Sequence, residues 1–277
     1  MANHIPTLKD SLLTLQNRVA TLTFNRDDVR NALTGTALIE DILTTIDWVN
    51  TNEDISVLII TGAGRAFSAG GNIKEMLERD TTHREGAFGG DVYEVQNKYR
   101  RGIQRIPKAI YSCEIPVIAA INGPAIGAGF DISCMCDIRI GSENALLGET
   151  FINLGIIPGD GGAWFLQRLI GYQAAAEMTF TGRLVEAPEA LEMGLLLNVV
   201  PADDLMLTAY TLAESIANKP PQALRLTKRL MKTAQRQELS DFLDLCATFQ
   251  GMCHNTDDHL EAVEAFVNKR DPSFSGK

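Results

Sequence analysis

One segment constrains this chain more than any other: an apolar run that ends in an Asn-Gly turn, then small residues, then a helix-like stretch. It occupies residues 116–137, PVIAAINGPAIGAGFDISCMCD. The pattern predicts a strand whose C-terminal end feeds a helix start, where the first backbone N–H groups have no intrahelical acceptor. Gly127, Ala128 and Gly129 leave those donors uncovered, and Asp131 follows about one turn in. Backbone donors beside a carboxylate suit chemistry next to a carbonyl, because the donors hold oxyanion charge while the acid moves a proton. A second apolar strand, SVLIIT at residues 56–61, runs into GAGRAFSAGGNIKEM, with Gly70 and Gly71 at the handover and Asn72 near the helix start. Two such ends side by side would aim one N–H each at a single oxygen.

FSAGGNIKEM and NGPAIGAGFD, in this order and spacing, resemble the enoyl-CoA hydratase/isomerase (crotonase) superfamily. The likeness runs from FNRDDVRNAL near the start to AFVNKR near the end. It implies an α/β fold, a crotonase-like spiral of ββα units with a C-terminal helical trimerisation region. Residues 1–202 would form the spiral core with the CoA and acyl sites, and residues 203–277 the helical region. The resemblance also implies that Gly71 and Ala128 supply the two N–H groups of a thioester oxyanion hole. Asp131 matches the first of the two acids that hydratases use. The second position falls on Phe151 in LLGETFINLGIIPGDGG, and Phe cannot transfer a proton.

Two nearby acids are candidate replacements. Asp160, in PGDGGAW, would lie on the rim of the pocket by the resemblance, and reads equally as an N-cap of the next helix. Glu149 lies two residues before Phe151, on the same side of an extended segment. For CoA, the resemblance implies contacts from Arg26, Arg30, Ala32, Ala69, Asn72 and Ile73. Phe266 and Lys269 would add contacts from the C-terminal helix, which in the family can reach a neighbour's active site.

The expected activity is therefore acyl-CoA chemistry, foremost hydration of a 2-enoyl-CoA thioester through a stabilised enolate. Two alternatives stand beside it. An isomerase would shuttle a proton with one carboxylate, with Phe151 keeping water out, and a weakly catalytic acyl-CoA-binding protein would need neither acid. No cofactor beyond the CoA thioester substrate is expected, and the assembly implied is a homotrimer or a hexamer built as a dimer of trimers.

A formal charge of −10 argues against nucleic acid as a partner. CoA is polyanionic too, so its site needs a local basic cluster, for which Arg26, Arg30, Lys269 and Arg270 are the candidates. No stretch approaches the roughly 20 apolar residues of a membrane span, and the first residues lack the pattern of a signal peptide. The five cysteines show no CxxC, and Cys134 and Cys136 read as buried core thiols. The expectation is a reduced, cytoplasmic, metal-free protein. TGAG begins like a dinucleotide fingerprint but has Phe67 at the third glycine position. AFSAG departs from a nucleophile elbow at Ala66. His4, His83, His254 and His259 read as surface residues.

LTLQNRVATLTFN reads as one strand, followed by a helix with Leu38, Ile42, Ile46 and Val49 on one stripe. DIRIG is a further strand, and the alternation argues for buried, partly parallel strands. From about Asp203 onward only helices are predicted, broken at Pro220-Pro221 and restarted by a cap at Thr256. The polar stretch 75–107 lines the acyl pocket by resemblance, with Phe88, Val92, Tyr93 and Val95 facing either the acyl chain or the core.

Overall fold

The computed structural model describes residues 4–77 and 88–277. His83 therefore lies outside the described residues. Strands β1 (Ser11–Gln16) and β2 (Val19–Phe24) form an antiparallel hairpin. LTLQNRVATLTFN is thus two strands rather than one. The chain reverses at Asn17 and Arg18, both at positive φ (47° and 65°), in a two-residue loop whose twist matches the strands. No glycine marks that turn, which is why the local signal is faint.

Helix α1 (Leu38–Thr51) follows and buries the expected stripe. Then come β3 (Val57–Gly62), α2 (Ile73–Leu77), α3 (Val92–Arg101), α4 (Arg105–Ser112) and β4 (Val117–Ile121). The short β5 (Ala125–Ile126) leads into α5 (Ala128–Met135), and β6 (Ile138–Ser142) and β7 (Leu146–Gly148) follow. A 3-10 turn at Thr150–Leu154 precedes α6 (Gly162–Ile170), α7 (Tyr172–Thr181), β8 (Val185–Glu186), α8 (Ala187–Glu192) and β9 (Asn198–Val200). Four helices close the chain: α9 (Leu205–Ala217), α10 (Pro221–Ala234), α11 (Leu239–His254) and α12 (Asp257–Asn268). The Thr256 hydroxyl caps α12 by accepting from the His259 N–H.

The main sheet runs β1-β2-β3-β4-β6-β9 and is parallel from β2 onward. Its central strands are apolar on both faces because both faces are covered. Val57, Ile59, Ile118, Ala120 and Ile140 pack against Leu205, Ala209, Ala213 and Ala217 of α9. Leu58, Ile60, Val117, Ala119 and Ile121 face the opposite way, into the core shared with α1, α4 and α5. Each fully buried Val, Leu or Ile contributes roughly 1.5–3 kcal/mol, so these strands are fixed in register by burial on both sides.

That register places the site. β3 and β4 are parallel with Leu58 opposite Val117 and Thr61 opposite Ala120, so both strands end at the same edge. The loops after them continue the pairing: the Phe67 N–H bonds to the Pro124 carbonyl at 3.0 Å, and the Ile126 N–H to the Ser68 carbonyl at 3.0 Å. β5 in turn pairs with β7 and β7 with β8 in a second small sheet. Among the described residues, no helix is long and apolar enough to cross a membrane.

Candidate active site

The glycine-bearing segments that follow β3 and β4 meet in van der Waals contact. Gly70, at φ 75°, approaches so closely that a Cβ there would lie 2.9 Å from the Ala128 nitrogen. At Gly129 a Cβ would come within 2.3 Å of the Ser68 carbonyl. These positions are glycine because backbone meets backbone. The N–H groups of Gly71 and Ala128 have no hydrogen-bond acceptor among the described residues, and both residues line one pocket of about 380 Å³. Gly127 precedes them at φ 54°, with the ring of Phe151 3.6 Å from where its Cβ would be. Phe151 itself lines the pocket, so the wall at that point is apolar.

Three carboxyl groups converge behind that wall. Asp131, in the first turn of α5, is fully buried, and among the described residues neither of its oxygens has a hydrogen-bond partner outside this carboxyl cluster. Glu149 and Asp160 are buried beside it, and among the described residues neither Asp160 oxygen has a side-chain partner outside the cluster. Room for the group exists because residue 162 is glycine: a Cβ there would fall 2.2 Å from Asp131 Oδ2 and 2.2 Å from Glu149 Oε1. The Thr179 hydroxyl, from α7, donates to Glu149 Oε2.

Burial pushes the Asp131 carboxyl well above the usual carboxylate range, and the neighbouring Asp160 and Glu149 push it further. Burial likewise raises Asp160 and Glu149, the latter against the pull of the Thr179 hydroxyl. Three such groups cannot all ionise together. Each group is thus held protonated to higher pH than an ordinary carboxylate, and the three titrate as a unit.

The three acids stand differently toward the pocket. Asp160 borders it, whereas Asp131 and Glu149 are not among its lining residues. The reading of Asp160 as an N-cap fails, since the N-cap of α6 is Gly161 and no side chain caps it. Glu149 also arrives by a different route from the one expected. The segment after it is a 3-10 turn rather than extended, so Glu149 turns inward while Phe151 faces the pocket.

The remaining candidates scatter. Ala69, Gly71 and Ile73 line the pocket, whereas Asn72 is held by its N–H on the Thr34 hydroxyl at 2.7 Å. Ala32 is buried. Arg30 has left-handed backbone (φ 53°) and joins Arg65, Ala69 and Ile126 around an adjoining pocket of about 190 Å³. Ala69 and Ile126 belong to both pockets, so a basic mouth adjoins the pair of free N–H groups. The Arg26 guanidinium is taken by Asp10 and Asp28, and that of Arg270 by Glu261. Phe266 and Lys269 are exposed on and just after α12 and line neither pocket.

A family model described as enoyl-CoA hydratase/isomerase matches residues 14–277. The chain belongs to that family. It is 35% identical to the short-chain-enoyl-CoA hydratase of Clostridium acetobutylicum, over 95% of this chain and 96% of the relative. It is 33% identical to the 2,3-dehydroadipyl-CoA hydratase of Escherichia coli, over 98% and 100%. The same bacterium's 1,2-epoxyphenylacetyl-CoA isomerase is also 33% identical, over 95% and 97%. The crystal structure of an enoyl-CoA hydratase from Bacillus anthracis superposes with a TM-score of 0.88 at 35% identity, covering 97% of this chain and all of that one. This enoyl-CoA hydratase/isomerase family member thus carries the family's mixed α/β fold with its helical C-terminal region.

Several site residues escape sequence reading. Of the named candidates in the polar stretch, Phe88 lines the pocket, while Val92 and Tyr93 are 88% and 70% exposed and Val95 does not line it. Tyr99 and Arg101 line it instead. The signal was available: Asp91 and Glu94 form a capping box that fixes where α3 starts. Helical phase from there brings residues 98, 99 and 102, rather than 92 and 93, to the pocket. Thr179 lies thirty residues from its partner Glu149, with no local pattern to announce it.

Proposed function

We propose that this protein is an enoyl-CoA hydratase that adds water across the double bond of a 2-enoyl-CoA thioester, with no cofactor beyond that substrate. One observation carries the reading: two unpaired backbone N–H groups and one buried carboxyl, Asp160, face the same apolar pocket. The thioester oxygen sits between the Gly71 and Ala128 N–H groups, which hold the enolate charge that develops when water attacks the β-carbon. Asp160 takes the water's proton on one oxygen. The proton shared with Asp131 then passes through Asp160 to the α-carbon, so the pair acts as base and acid in one turnover. The phosphates of CoA lie toward Arg30. Because Phe151 removes the usual second acid, Asp160 takes over its role from the next loop. The exposed apolar side chains Leu239, Leu243, Leu260, Val263, Phe266 and Val267 on α11 and α12 suit the region 203–277 to subunit contact, in a trimer or a dimer of trimers.

Incubation with crotonyl-CoA in heavy water, read by mass spectrometry, tests this. Gain of one water with deuterium at the α-carbon is the expected result. The apolar Phe151 wall favours one other outcome, migration of the double bond of a 3-enoyl-CoA without water, which would make the protein an isomerase.

A further inference from the structure

Tyr99, on α3, lines the same pocket as the two free N–H groups, and its ring packs on the loop that carries Asp160. A Cβ on Gly159 would come within 2.8 Å of Tyr99 Cε1. The side chain is half-buried and its hydroxyl has no hydrogen-bond partner among the described residues. Two other hydroxyls line this pocket, those of Thr34, which accepts from the Asn72 N–H, and Thr150. A phenol on an apolar wall ordinarily finds a partner. Here the neighbour is Asp160, whose charge, after burial, raises the Tyr99 hydroxyl above its ordinary range and keeps it a neutral donor.

We propose that Tyr99 is a catalytic residue of the hydration step, donating its hydroxyl to the oxygen of the attacking water while Asp160 accepts that water's proton. The proposal rests on the hydratase reading and deepens it. The water oxygen uses one lone pair to bond the β-carbon and the other to accept from Tyr99, one O–H bond breaks toward Asp160, and a C–H bond forms at the α-carbon. The reverse reaction holds the product's β-hydroxyl through the same donor. Tyr99 therefore supplies the second polar contact to the water that Phe151 does not.

The test pairs two reactions. Hydration of crotonyl-CoA needs the oriented water. Exchange of the α-hydrogens of butyryl-CoA with heavy water needs the N–H pair and the carboxyls, but no water at the β-carbon. Tyr99→Phe keeps the ring on Gly159 and should lower kcat for hydration about 10²- to 10³-fold, the range of a lost positioned donor. KM and the exchange rate should stay within twofold. Loss of both reactions together would overturn the proposal in favour of a structural role, and loss of neither would overturn it outright. A wild-type protein that exchanges but never hydrates would refute the hydratase reading itself, and this inference with it.

Discussion

Helix α5 has an aspartate at each end, and the two live in opposite circumstances. Asp131, in its first turn, is fully buried beside two other carboxyls, and among the described residues no donor from outside that cluster reaches either oxygen. Asp137, one residue past the C-cap Cys136, accepts from the Val117 N–H at 2.7 Å and from the buried Lys228 ammonium at 2.6 Å. Lys228 also donates to the Ile115 carbonyl, tying α10 to the entry of β4. One aspartate is served by the fold and holds it together. The other has only further carboxyls for neighbours, which raises its pKa and suits it to the proton transfer proposed above. A carboxyl's surroundings, more than its sequence neighbourhood, separate a structural acid from a working one.

The same substitution at the two ends should give opposite results. Asp131→Asn should lower turnover about 10²- to 10⁴-fold while leaving CoA-ester binding intact. It should also stabilise the fold. The folded-state pKa of Asp131 is raised, so the native protein holds a proton that the unfolded chain releases, and stability falls as pH rises through that interval. Melting curves should therefore show a gain for the variant at neutral pH that fades as pH falls below about 4, where the wild-type acid becomes protonated in both states. A variant that is active, or less stable at neutral pH, would erase the contrast.

Asp137→Asn should do the reverse. It strands the buried Lys228 ammonium and should destabilise by about 3 kcal/mol, read as a shift of the urea midpoint, with turnover per folded molecule unchanged. The smallest effect belongs to Thr179→Val, which strips Glu149 of its donor. Loss of about 1 kcal/mol of hydrogen bonding translates into about a fivefold slower turnover. No change would place Glu149 outside the working cluster.

Much of this arrangement was legible in the residues. The two strand-to-helix handovers around Gly71 and Ala128 follow from apolar runs ending in small residues, and parallel pairing of β3 with β4 brings them together. The absence of an acid at Phe151 was legible as well. The pairing of Asp160 with Asp131 was not, because Asp160 sits in a helix-capping context and only the missing Cβ of Gly162 lets the three carboxyls meet. The hairpin at Asn17-Arg18 was hidden because non-glycine residues take the left-handed backbone there. Arg26 looked available for phosphate, yet two carboxylates that fold back onto it already hold it.

The central claim is that Asp131 and Asp160 act as a single proton-sharing unit in which only Asp160 meets the substrate. A double-mutant cycle on crotonyl-CoA hydration, with Asp131→Asn, Asp160→Asn and both together, tests it most directly. Residues acting as one unit give non-additive losses, so the double variant should be no slower than the worse single variant within about threefold. Losses that multiply across the two positions would show independent roles and contradict the account.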